Sequence, residues 1–131
     1  MTEQERFKAD LEILGFDETL ETIIDGHQCY VHRASAMSGG HLCGYVEACV
    51  SDPNGLDVHG GVTWNDGLTH ITSPITNLVG FDCAHAGDWS VRFPYGRYKD
   101  VYFVLNELKN LVLQLPASTL ALEEEYQDDR F

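Results

Sequence analysis

Between Glu3 and Leu14 the apolar residues Phe7, Leu11 and Leu14 recur at helical spacing, with charges on the remaining faces and Gly15 as a natural stop, so a short amphipathic helix is expected to open the chain. Glu21 to Ile24 and Gln28 to Arg33 then flank Asp25-Gly26, a dipeptide that tolerates positive φ and favours a tight hairpin turn. Ala34 to Gly40 is small and polar and reads as a loop. Leu42 to Val50 alternates in strand fashion, with Val46, Ala48 and Val50 on one side and Tyr45, Glu47 and Cys49 on the other. A turn at Ser51 to Gly55 precedes a second alternating run, Leu56 to Trp64. Asn65-Asp66-Gly67 predicts another tight turn, with Leu68 to Thr72 returning as a strand.

Asn77 to Cys83 is the most apolar strand pattern, and Ala84 to Gly96, punctuated by Gly87, Pro94 and Gly96, reads as a functional or covering loop. From Tyr98 to Leu115, Val101, Val104, Leu105, Leu108, Leu111, Val112 and Leu115 recur every three or four residues, Asp100 stands near the start and Pro116 follows the end. The predicted class is α+β: a mainly antiparallel sheet packed against this long C-terminal helix and the short N-terminal one, in a single domain over 1–120 with an acidic tail over 121–131.

Composition narrows the function classes. A chain of 131 residues supports one core. Its 21 acids against 8 bases give a net charge of −13, which argues against direct nucleic-acid binding and against anionic membranes, and favours a basic partner wherever the whole surface is engaged. No apolar run approaches the length of a membrane span and the first thirteen positions do not resemble a secretory signal, so a cytoplasmic protein is expected. Cys29, Cys43, Cys49 and Cys83 form no C-x-x-C pair and are expected to be reduced and mostly buried. The small sheet could also pair with a second copy in a homodimer.

The chemistry is concentrated in two places: Val58-His59-Gly60-Gly61, and Gly80 to Asp88 with Asp82, Cys83, His85, Gly87 and Asp88. In an extended segment Asp57 and His59 point the same way, and the glycines beyond them let the backbone bend or receive a ligand. Asp82, His85 and Asp88 are spaced by three, so a helical turn after the strand would gather them on one side. His59, Asp82 and His85 are therefore candidate ligands of a divalent metal, Zn²⁺, Mn²⁺ or Mg²⁺. Without metal, Asp82 would orient His85 while the amides near Ala86-Gly87 meet an anionic or carbonyl group. Alternation sends Asp82 and Cys83 to opposite faces, leaving Cys83 a buried, inert thiol. Tyr45 and Glu47 join the site if their strand face meets the one bearing Asp57 and His59, giving Glu47, His59 and His85 as candidate catalytic groups. Trp64 and Trp89 bracket the motifs and suit a flat ring; His27, His32, His41 and His70 read as structural or solvated.

From Gly40 to Leu115 the chain resembles a family of small, mostly uncharacterised bacteriophage and prophage proteins, through Gly40 to Val46, Val58-His59-Gly60-Gly61-Val62-Thr63, Gly80-Phe81-Asp82-Cys83-Ala84-His85-Ala86-Gly87-Asp88 and Tyr98-Lys99-Asp100. The resemblance implies a phage accessory protein that antagonises host defence. Three functions are compatible with the residues. The leading one is sequestration of a small polar, nucleotide-like ligand by Tyr45, Glu47, Asp57, His59, Gly60, Gly61, Trp64, Asp82, His85, Gly87 and Asp88. The others are metal-dependent hydrolysis in the same pocket and acidic inhibition of a basic nucleic-acid-binding host protein, as an anti-CRISPR protein would act.

Overall fold

Asp25 and Gly26 both adopt positive φ (47° and 80°), the geometry that closes a two-residue hairpin without splaying its strands. They join β1 (Thr19–Ile24) to β2 (His27–Arg33) in the computed structural model, which describes residues 1–48, 50, 52–67 and 77–115. The hairpin edge continues through β3 (Leu42–Glu47) to β5 (Asn77–Asp82), with β4 (Trp64–Gly67) outermost. All neighbours are antiparallel, in the order β1-β2-β3-β5-β4.

Two helices complete the α+β architecture. α1 (Glu3–Leu11) starts at a capping box in which the Thr2 hydroxyl accepts from the Glu5 amide and the Glu5 carboxylate accepts from the Thr2 amide. It ends at Leu11, three residues before the expected last helical residue, Leu14. α2 (Val101–Gln114) is capped by Asp100, whose carboxylate accepts from the Phe103 amide. Its stripe of Val101, Val104, Leu108, Leu111 and Val112 is buried against Cys29, Val31, Val46, Val79 and Phe81 on one sheet face. Gly44 permits that fit: a Cβ there would sit 2.7 Å from the Phe81 ring and 3.0 Å from Val104 Cγ1. No helix among the described residues is long and apolar enough to cross a membrane.

A second, partly ionic core anchors α1. Phe7 packs with Trp89 and Tyr98, and Arg33 beside them is wholly buried. Its guanidinium meets Asp10 at 3.0 Å, donates to Tyr98 Oη at 3.0 Å and to the Gly40 carbonyl at 2.8 Å, while its Nε donates to the Leu14 carbonyl at 2.6 Å. Tyr98 in turn donates to Asp10, whose carboxylate also accepts from the Val101 amide at the start of α2. Every polar group in this knot is therefore matched, the condition for burying a charge pair.

Several local expectations need correction. Leu56 to Trp64 is not a strand: after a single 3₁₀ turn at Pro53–Gly55 the chain runs irregularly, because Gly60 and Gly61 both take positive φ (70° and 81°) and break any alternation. The strand begins only at Trp64 and includes Asn65-Asp66-Gly67, which pair with β5 instead of forming a turn. Leu68 to Thr72, Cys49, His70 and the 121–131 tail lie outside the described residues.

Candidate functional site

The segment before Gly60 is clamped along α2. Asn110 and Gln114 side chains donate to the Asp57 carbonyl at 3.0 and 2.6 Å, Glu107 accepts from the His59 amide at 2.8 Å, and Val58 enters the core between them. The Gly61 amide closes a tight turn onto the Val58 carbonyl at 2.8 Å. This fixes the His59 ring edge-on to Phe103, with centroids 5.1 Å apart, and aims Nε2 at Asp88, 2.9 Å from both carboxylate oxygens.

Asp88 is the junction of the site. It is buried, and accepts from His59, from the His85 amide at 3.0 Å and from Lys99 at 3.2 Å. Burial alone would raise its pKa, but these three donors outweigh it and hold the carboxyl below its ordinary value. Its charge is thereby neutralised inside the protein rather than presented to a ligand.

His85 stands in front of this junction. Its ring lies against the Gly60 backbone, so close that a Cβ on residue 60 would fall 2.2 Å from two ring atoms. The ring Nε2 is buried and 3.1 Å from Asp82 Oδ1, but off the axis that a hydrogen bond needs. That contact is an ion pair when the ring is protonated and a dipole contact when it is neutral. His41, the residue before β3, faces the same space. Burial pulls its pKa down from the usual 6.5, opposed by the Asp82 charge, the Ser38 backbone and the Asp88 charge, and reinforced by His85.

An open cavity of about 600 Å³ lies over these rings, lined among others by His41, His85, Gly87, Ser90, Arg92 and Tyr95. Its outer wall is the 87–97 loop, which is irregular yet tightly tied. The Gly87 carbonyl accepts from the Arg97 amide at 2.9 Å, the Trp89 amide donates to the Arg97 carbonyl at 2.8 Å, and the Ser90 amide donates to the Phe93 carbonyl at 3.0 Å. Gly96 (φ 82°) lies against the Gly87 carbonyl, where no side chain fits. The loop therefore holds Phe93 and Tyr95 at the mouth, 66% and 77% exposed.

Of the residues singled out in the sequence, His85, Gly87 and Asp88 reach this cavity; Asp82 lies behind His85, Gly60 beneath it, and His59 behind Asp88. Asp82, His85 and Asp88 do come together, but through a strand end and a turn, not the expected helical turn. The proposed metal set His59, Asp82 and His85 is not assembled, since the two imidazoles turn to different carboxylates; among the described residues no three such side chains are placed to share an ion. Tyr45 and Glu47 are elsewhere. β3 is flanked by β2 and β5, so the Glu47 carboxylate accepts from Tyr30 Oη at 2.6 Å and the Tyr45 ring lies over Gly80, on the sheet face away from α2. Asp57 is exposed and engages α2 through its backbone, Gly61 has open space around its Cα, and Trp64 pairs with Gly80 on the sheet edge. Trp89 belongs to the Phe7 core cluster.

The thiols behave as alternation demands. Cys83 and Cys29 face the α2 core and Cys43 the other side, all three free and buried, with burial raising Cys43 to about 11 and Cys29 to about 12. Sequence reasoning missed His41, Ser90, Phe93 and Tyr95 as site residues. Only Phe93 and Tyr95, two aromatics within a glycine- and proline-rich loop, carried a local signal. Compared with models of protein families, with curated proteins and with solved structures, the chain matches none.

Proposed function

We propose that the protein is a binding module that captures a small polar ligand carrying a flat ring, in the cavity between His85 and the 87–97 loop. The observation that carries this reading is the pairing, in one opening of about 600 Å³, of a polar floor of His41 and His85 with exposed Phe93 and Tyr95 at its mouth. Pockets of a few hundred Å³ that combine apolar walls with a few oriented polar groups suit metabolite-sized ligands. Two aromatic faces stack a ring at little entropic cost. With the motif resemblance to phage accessory proteins, the capture is read as counter-defence, sequestering a nucleotide-like host signal. Of the three candidate catalytic groups of the hydrolase reading, Glu47 is committed to Tyr30 and stands away from the cavity.

Native mass spectrometry of the protein as purified, beside a Phe93→Ala/Tyr95→Ala variant, tests the reading. The expected result is a ligand-sized adduct released on denaturation and absent from the variant. A bare chain that also shows no thermal shift with nucleosides or nucleotides overturns it.

The net charge of −13 favours a second reading, an acidic inhibitor of a basic nucleic-acid-binding host protein. Complex formation with such a protein would then weaken steeply with salt and be indifferent to the cavity variant.

A further inference from the structure

The cavity lining is rich in donors and poor in available acceptors. The amides of Ala86 and Gly87 make no hydrogen bond with any described residue. Ser90 Oγ accepts from the Phe93 amide at 3.1 Å, leaving its own proton without an acceptor among the described residues. His41 adds an imidazole, and the carboxylate that also lines the cavity, Asp88, is already saturated by His59, the His85 amide and Lys99.

Arg92 is the most informative member. In a chain with 8 bases against 21 acids, an arginine has carboxylates to spare. Arg6 pairs with Glu3 and Asp100, and Arg33 with Asp10. Arg92 makes no ion pair or hydrogen bond with any described residue. Instead its methylenes run beside Gly39, where a Cβ would touch Cδ at 3.4 Å, and it lines the cavity. The arginine is thus packed along its stem, and among the described residues its head has no partner, in the same cavity as two amides and a hydroxyl that are unpaired within that set.

We infer that the cavity holds a phosphate monoester, the phosphoryl oxygens taken by Arg92, the Ala86 and Gly87 amides and Ser90, with the attached ring between Phe93 and Tyr95. A phosphoryl group offers three terminal oxygens that are all acceptors, and a guanidinium meets two of them in parallel. Successive backbone N–H groups in a turn form the anion-binding concavity that suits the third. The protein's overall negative charge opposes such a ligand, so recognition depends on these local donors rather than on long-range attraction. The assignment rests on the ligand-capture reading and names the class of ligand: a nucleoside monophosphate.

Isothermal titration with the four nucleoside 5′-monophosphates and the four matching nucleosides separates the two claims. The expected result is that at least one monophosphate binds tenfold or more tightly than its nucleoside. Arg92→Gln should then weaken the monophosphate severalfold more than it weakens the nucleoside, so that the gap between the two narrows. Equal affinity of a nucleoside and its monophosphate overturns the phosphoryl assignment and leaves ring capture standing. Binding of neither series by folded protein, checked by circular dichroism, overturns both. An unaltered monophosphate affinity in Arg92→Gln overturns the role given to that residue. Arg92 is exposed, so the variant tests recognition without loss of a core contact.

Discussion

Gly60 shows how one position can be set twice over, by its own backbone and by a neighbour 25 residues away. Its φ of 70° lies in the region where an L side chain costs about 1–2 kcal/mol, and the His85 ring occupies the space a Cβ would need. Gly60→Ala should therefore lower the melting temperature by several degrees, and in a His85→Ala background the clash component should vanish while the backbone component remains. A double-mutant cycle on thermal melts measures that coupling; strict additivity would show that the ring does not rest on Gly60. Asp88 makes a complementary case. Its pKa is held below the ordinary 3.8, so its stabilisation is present above that value and is lost as pH falls through the depressed one. Asp88→Asn should cost about 1–3 kcal/mol at neutral pH, by weakening bonds to His59 and Lys99. It should also flatten the acid limb of the stability profile followed by urea denaturation between neutrality and strong acid.

At the scale of elements, α1 is tied to the rest of the molecule by a charge rather than by its apolar stripe alone. Asp10 reaches Arg33 on β2 and the first amide of α2, so one carboxylate couples three elements. Asp10→Ala would leave the Arg33 guanidinium buried without its anion, a loss of about 3–5 kcal/mol. Chemical denaturation should register it as a shift in midpoint; a change near zero would mean that water enters to solvate Arg33. The helix pattern of the sequence placed Phe7, Leu11 and Leu14 on the buried face, yet Asp10 lies three residues from Phe7 and four from Leu14, on that same face. Its burial was legible in the spacing, but its partner was not, because Arg33 closes a strand whose local pattern says nothing about α1.

For the whole molecule, the net charge predicts that self-repulsion outweighs the other electrostatic effects. With a net charge of −13, added salt should screen like charges more than it weakens the few ion pairs, so the melting temperature should rise from low to moderate sodium chloride. A fall would mean that the buried and half-buried pairs around Asp10 and Asp88 dominate the electrostatics. The same charge makes the donor-rich cavity conspicuous, since it gathers Arg92, Ser90, His41 and two amides that are unpaired among the described residues, in a chain otherwise dominated by carboxylates.

Periodicity and turn chemistry were enough to establish the α+β class, the Asp25-Gly26 hairpin, β5 and α2, because each depends on residues within a few positions of one another. They also separated Cys83 from Asp82, since alternation along a strand is a local property. The run from Leu56 to Trp64 escaped them because two glycines with positive φ can sit inside an apparently alternating segment. Strand order lay beyond them as well. Placing β3 between β2 and β5 sent Glu47 to Tyr30 instead of to His59, while the 87–97 loop, lying beside Gly39 and His41, brought Arg92, Phe93 and Tyr95 to His85. The sequence by itself determined which residues carry chemistry and which short elements form. Tertiary structure alone decided which of those residues meet, because a site is assembled from contacts between positions whose separation along the chain leaves no periodic trace.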